Sequence, residues 1–122
     1  MKEIRAIIFT DEELQTALSE QLIRLGKSLP GKIVYVAMSK DPVAATMEMI
    51  DQSGRTTRTA FSDVELGASL IAFCIARKVP LPAKAEKQVE LLSNGVALMI
   101  SIPNSASILP STRSNVLQRG QS

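Results

Sequence analysis

Gly26-Lys27-Ser28 has the residue types that close a phosphate-binding loop, with a lysine for phosphate and a hydroxyl for magnesium. Such a loop needs a glycine where Gln21 stands, and it must precede a helix. Here the stretch ends an apolar periodic segment, and a helix C-terminus repels phosphate. The spacing therefore argues against a nucleotide site. Asp11, Glu12 and Glu13, and later Asp63 and Glu65, are the residue types of acid pairs or hard-cation ligands. They follow Thr10 and Ser62 at capping distances, which assigns them to first helical turns.

The chain has no histidine, which removes His-based general-base chemistry and the usual zinc sites. Cys74 is the one cysteine, so no intrachain disulfide forms. It falls in an apolar segment with Lys78 as its basic neighbour at helical spacing, and a nucleophilic thiol needs more access and a lower pKa than that provides. Serines and threonines are plentiful, but none has a candidate base. No catalytic, cofactor-binding or metal-binding residue is assigned, and the chain is read as not an enzyme.

Arg55, Thr56, Thr57, Arg58 and Thr59 form a polar, β-branched run. Followed by two helices, it would have the order of a ribbon-helix-helix DNA binder. In that reading Arg55, Thr57, Arg58 and Thr59 are the nucleic-acid-binding candidates. A net charge of +2 gives little electrostatic footprint for it, and a solvated edge strand explains the same residues. Met38, Met47, Met49 and Met99 fall in strand-like runs, where methionine fills the core of a chain that is only 3% aromatic.

The elements that must position these residues follow from periodicity. Phe9-Thr10 with Glu13-Leu14 and Phe61-Ser62 with Glu65-Leu66 are two capping boxes with hydrophobic staples. The match continues through Leu18 and Leu70, Ile23 and Ile75, and Leu29-Pro30 and Leu81-Pro82. Either a duplicated unit or two helices needing the same cap accounts for it. Helices are predicted over 11–27 and 63–78, with a third, shorter one over 83–93 carrying Ala85, Val89 and Leu92 on one face. Strands are predicted at Ile4–Phe9 (buried), Ile33–Met38 (central), Val43–Met49 (half-buried), Arg55–Ala60 (edge) and Val96–Ile102, with a hairpin loop at Asp51–Gly54.

These elements predict one α+β domain over 1–102, with order β-α-β-β-β-α-α-β. A single mostly antiparallel sheet of four or five strands would be packed by two or three helices, approaching a ferredoxin-like arrangement. Residues 103–122, rich in Ser, Asn, Gln and Pro, read as a flexible polar tail. The longest apolar stretch, Leu70 to Ala76, is too short to span a bilayer, so no membrane partner is expected, and the single cysteine suggests the cytoplasm.

Between Leu66 and Ala76 the second helix is apolar almost all round, so a third helix or another subunit should cover its second side. Leu70, Ile71, Phe73 and Cys74 are the candidate partner-interface residues. The resulting functional expectation is a non-catalytic protein-interaction or regulatory domain, homodimeric or bound to another protein. A DNA-binding regulator and a small-ligand sensor are the alternatives.

Overall fold

In a computed structural model, which describes residues 2–27, 29, 31–93 and 95–102, Thr10 and Ser62 each cap a helix as their spacing predicts. The Thr10 amide donates to Glu13 Oε1 at 2.9 Å and the Glu13 amide donates to Thr10 Oγ1 at 3.1 Å. The Ser62 amide donates to Glu65 Oε1 at 2.8 Å and the Glu65 amide to Ser62 Oγ at 3.2 Å. Two orphan donors are satisfied at each helix start. The expected tail, 103–122, lies outside the described residues.

The elements run β1 (Glu3–Phe9), α1 (Asp11–Arg24), β2 (Lys32–Ser39), β3 (Ala44–Ile50), β4 (Thr56–Phe61), α2 (Asp63–Ala76), β5 (Glu86–Leu92) and β6 (Gly95–Ile102). The fold is α+β, and the described residues form two helices and six strands in two antiparallel sheets, ordered β1-β6-β5 and β2-β3-β4. This corrects the expectation of one sheet with four or five strands. The predicted third helix is strand β5, paired with β6 from Glu86–Ser101 to Leu92–Gly95. Its side chains alternate, with Lys87, Val89 and Leu91 turned inward and Glu86, Gln88 and Glu90 exposed.

The order β-α-β-β occurs twice. The hairpin β2-β3 takes β4 from the second unit as its third strand, and the hairpin β5-β6 takes β1 from the first. The two units are thus joined by exchanged strands. The burial of α2 repeats that of α1 position by position from Asp11 with Asp63 onward, differing only where Phe73 replaces Gln21. The inward faces of the central strands also correspond, with Ala45, Met47 and Met49 on β3 and Val96, Leu98 and Ile100 on β6.

One core joins the units. Leu14, Leu18 and Leu22 from α1 and Leu66, Leu70 and Phe73 from α2 meet β3 and β6. The helices pack on each other, and Phe73 meets Phe9 edge-on, with centroids 5.7 Å apart. The buried Ser69 hydroxyl donates to the Glu65 carbonyl at 2.8 Å, so it adds no unpaired donor. Gly95, at φ 145°, lies where an added Cβ would come within 2.7 Å of the Phe9 carbonyl oxygen; the close approach of β6 to the end of β1 requires glycine.

Both helices end in the same way. After α1, the amides of Gly26 and Lys27 donate to the carbonyls of Ile23 and Leu22 at 3.0 and 2.8 Å. After α2, Lys78 and Val79 donate to Ile75 and Cys74 at 3.0 and 2.9 Å. These are Schellman closures, with Gly26 (φ 79°) and Lys78 (φ 61°) in the left-handed position.

Candidate functional site

Several of the residues that could do chemistry are engaged by the fold. Glu13 and Glu65 complete the capping boxes. The Gly26 and Lys27 amides, which a phosphate site would need, donate to helix carbonyls. Cys74 is buried in the core, and burial, with a smaller contribution from the charge of Glu13, pushes its thiol above the usual range. A thiol so placed is a poor nucleophile. Among the described residues, no group of three His, Cys, Asp or Glu side chains could hold a metal ion.

The polar strand does not gather a basic face. Arg55 precedes β4 in the hairpin loop, where its amide donates to Asp51 Oδ1 at 2.9 Å. Thr57 and Thr59 are half-buried on one face of β4, and Arg58, on the other, lies 3.6 Å from Glu48. One helix follows β4, and the next element is a strand, so the two-helix order expected for a ribbon-helix-helix protein is not present.

Of the interface candidates on α2, Leu70, Phe73 and Cys74 lie in the chain's own core and Ile71 is half-buried. The second side of the helix is covered in part by β5, with Val89 Cγ2 3.7 Å from where a Cβ on Gly67 would be. At the helix end, the Arg77 guanidinium lies 3.7 Å above the Phe73 ring and donates to Glu20 Oε1 and Oε2 at 3.1 and 2.9 Å. The hydrogen bond from Arg77 holds the Glu20 carboxyl below its ordinary range.

The four sheet edges differ in chemistry. β4 presents Thr56 and Arg58 outward, β5 presents Glu86, Gln88 and Glu90, and β2 carries a register shift between Ile33 and Tyr35. Charges and bulges of these kinds discourage strand addition. On β1 the charges, Glu3 and Arg5, pair with each other on the face opposite Ile4 and Ile8. The strand pairs with β6 without a register shift, residues 3–6 are all exposed, and Ile4 and Ile8 on its outer face are 60% and 47% exposed. The apolar run, broken only by Arg5, that predicted a buried strand therefore lies at an open edge. The run over β2, predicted to be central, is also at an edge.

A cleft of about 580 Å³ runs across the outer face of the β1-β6-β5 sheet from Lys2 and Ile4 to Glu86 and Gln88, and two further clefts have more apolar walls. One, of about 1170 Å³, lies where the start of β2 meets the end of β3, with Leu29, Ile33, Val34 and Ile50 as its apolar wall. Its acid, Asp51, accepts from the Ser53 hydroxyl and from the Ser53 and Arg55 amides, which hold its carboxyl below the usual range. The other, of about 640 Å³, lies between α2, the turn at Asp41–Val43 and β5.

Comparison with protein-family models, curated proteins and solved structures finds no match to this chain.

Proposed function

We propose that the protein is a non-catalytic interaction domain that acts by self-association through β1. The observation that carries this reading is an edge strand with no bulge, with isoleucines on its outer face and its charges, Glu3 and Arg5, paired on the other, while the other three edges among the described residues turn charged or polar side chains outward or are bulged. An edge strand leaves alternate backbone N–H and C=O groups unpaired, and a second strand satisfies them. In an antiparallel pair centred on Ala6, Ile4 stands opposite Ile8 of the partner subunit. Closed twofold dimers need self-complementary patches of this kind. The two β1-β6-β5 sheets would join into one.

The absence of histidine, the engaged carboxylates and the buried Cys74 support a non-catalytic role. No helix among the described residues is long and apolar enough to cross a membrane. The proposed setting is the cytoplasm, where a lone thiol stays reduced. Amide hydrogen exchange at several protein concentrations tests the assignment. Protection should rise with concentration in β1 and stay constant in the edge strand β4. Concentration-independent exchange in β1 would contradict it.

A further inference from the structure

The helices cover one face of the β1-β6-β5 sheet through Val96, Leu98 and Ile100, and the opposite face is open. Residues paired across strands share a face, so rows run over it from Ile4 on β1 to Glu86 on β5 and from Ile8 to Glu90, with Met99 of β6 between them. The face is apolar on its β1 side and acidic on its β5 side, and the 580 Å³ cleft crosses it. Among the described residues neither Glu86 nor Glu90 forms an ion pair, and Lys2, which also lines the cleft, pairs with neither. The other sheet holds the comparison. By the repeat, Ile4, Ala6 and Met99 correspond to Thr56, Arg58 and Glu48, at matching exposure position by position. There the row is polar, and Arg58 pairs with Glu48 at 3.6 Å. The architecture thus accepts a polar, internally paired face and does not demand an apolar one beside unpaired acids.

We propose that this face docks a basic amphipathic helix of another protein, with its apolar stripe over Ile4, Met99 and Ile8 and its lysines or arginines beside Glu86 and Glu90. Layering is the first argument: an amphipathic helix buries its stripe on a sheet face, as α1 and α2 do on the inner one. Charge and spacing are the second. Glu86 and Glu90 lie four residues apart, roughly 13 Å along the strand. Basic residues two turns apart on a helix are separated by about 11 Å, and their long stems make up the difference while covering apolar surface. The third argument excludes this chain's own helices. α1 carries Arg24 as its single basic residue and α2 carries none, so a second copy cannot present such a pair from a helix. Strand pairing uses the edge of β1 and leaves this face open, so docking goes beyond the proposed self-association and does not depend on it.

The test titrates a synthetic amphipathic helix, a leucine stripe flanked by lysines, into the isotope-labelled full chain. The amide signals of Gln88, Met99 and Ser101 should shift, while those of Thr46 and Glu48 on the corresponding face should not. A peptide with glutamates in place of the lysines should shift neither set, and added salt should weaken the binding. Glu86→Lys/Glu90→Lys should weaken it by about tenfold or more and should confer binding of the glutamate peptide. Light scattering on that variant should give the wild-type mass, which separates a failure here from a failure of β1 pairing. No shift at Gln88 and Met99, equal shifts on both sheets, equal binding of the glutamate peptide by wild type, or binding that survives the charge reversal would overturn the proposal. Shifts at Gln88 and Met99 that follow protein concentration without peptide would assign the face to a second copy and would also overturn it.

Discussion

Ile4 and Ile8 stand on the same outer face of β1, opposite Ser101 and Ala97 of β6, and both remain largely exposed. Neither contributes to the core, which β1 reaches through Ile7 and Phe9. Lysine at both positions should therefore leave the stability of the isolated chain within about 0.5 kcal/mol of wild type, as surface changes generally do. Chemical denaturation at low protein concentration checks this.

Lys78 and Gly26 occupy corresponding left-handed positions after the two helices. A side chain costs energy in that conformation, and glycine does not. Lys78→Gly should stabilise the protein by about 0.5–1 kcal/mol, the left-handed penalty less the added freedom of the unfolded chain. Gly26→Lys should destabilise it by a similar amount. Thermal unfolding of the two variants should move in opposite directions.

Thr10→Ala and Ser62→Ala should each cost about 1 kcal/mol through the lost cap. The sites are far apart in sequence and cap different helices, so the double variant should lose roughly the sum. Urea midpoints with unchanged slopes would check both statements.

Glu20 gives a pH signature. Hydrogen bonding to Arg77 lowers its carboxyl below the usual range in the folded protein, and the charges of Arg77 and Arg24 act in the same direction against desolvation. A depressed folded pKa contributes stability above the unfolded pKa and loses it as pH falls through the folded one. Wild type should thus be more stable than Glu20→Gln at neutral pH, and the gap should close in acid. Both side chains are more than a third exposed, so the gap should be small and should shrink with added salt. Melting temperatures of the pair across pH and salt measure it.

Leu70 separates two accounts of α2. It is fully buried in the chain's own core, so Leu70→Ala should cost about 2–5 kcal/mol by opening a cavity. The folded fraction should retain wild-type self-association, because β1 is unchanged. Equilibrium unfolding with a mass measurement on the same sample checks both parts.

The helices and their caps were legible because they depend on local chemistry: a hydroxyl three residues before a glutamate closes the same box in any context. The half-buried alternation of Ala45, Met47 and Met49 was legible for a similar reason. β5 was not. Glu86-Lys87-Gln88 and Glu90-Leu91-Leu92 are good helix formers, and Ala85, Val89 and Leu92 keep a helical spacing. Pairing with β6 overrides that preference, and the inward set becomes Lys87, Val89 and Leu91. Asn94-Gly95 between two apolar runs is the hairpin signal that points to the strand.

The position of β1 was illegible for a different reason. An apolar run such as Ile4–Phe9 resembles a strand buried on both faces, and the one local sign of an edge is Arg5 within it. The same limit applies to α2. Its apolar surround is plain in the sequence, but which residues face the core depends on where β5 and α1 pack. That placement buries Leu70, Phe73 and Cys74 and leaves Val64 and Ile75 exposed.

Self-association through β1 is tested most directly by light scattering coupled to size exclusion, on wild type and on Ile4→Lys/Ile8→Lys over a range of loading concentrations. Wild type should approach twice the 13.2 kDa chain mass as concentration rises, and the double variant should stay at the single-chain mass while remaining folded. A wild type of single-chain mass at every concentration, or a variant that still doubles, would contradict it.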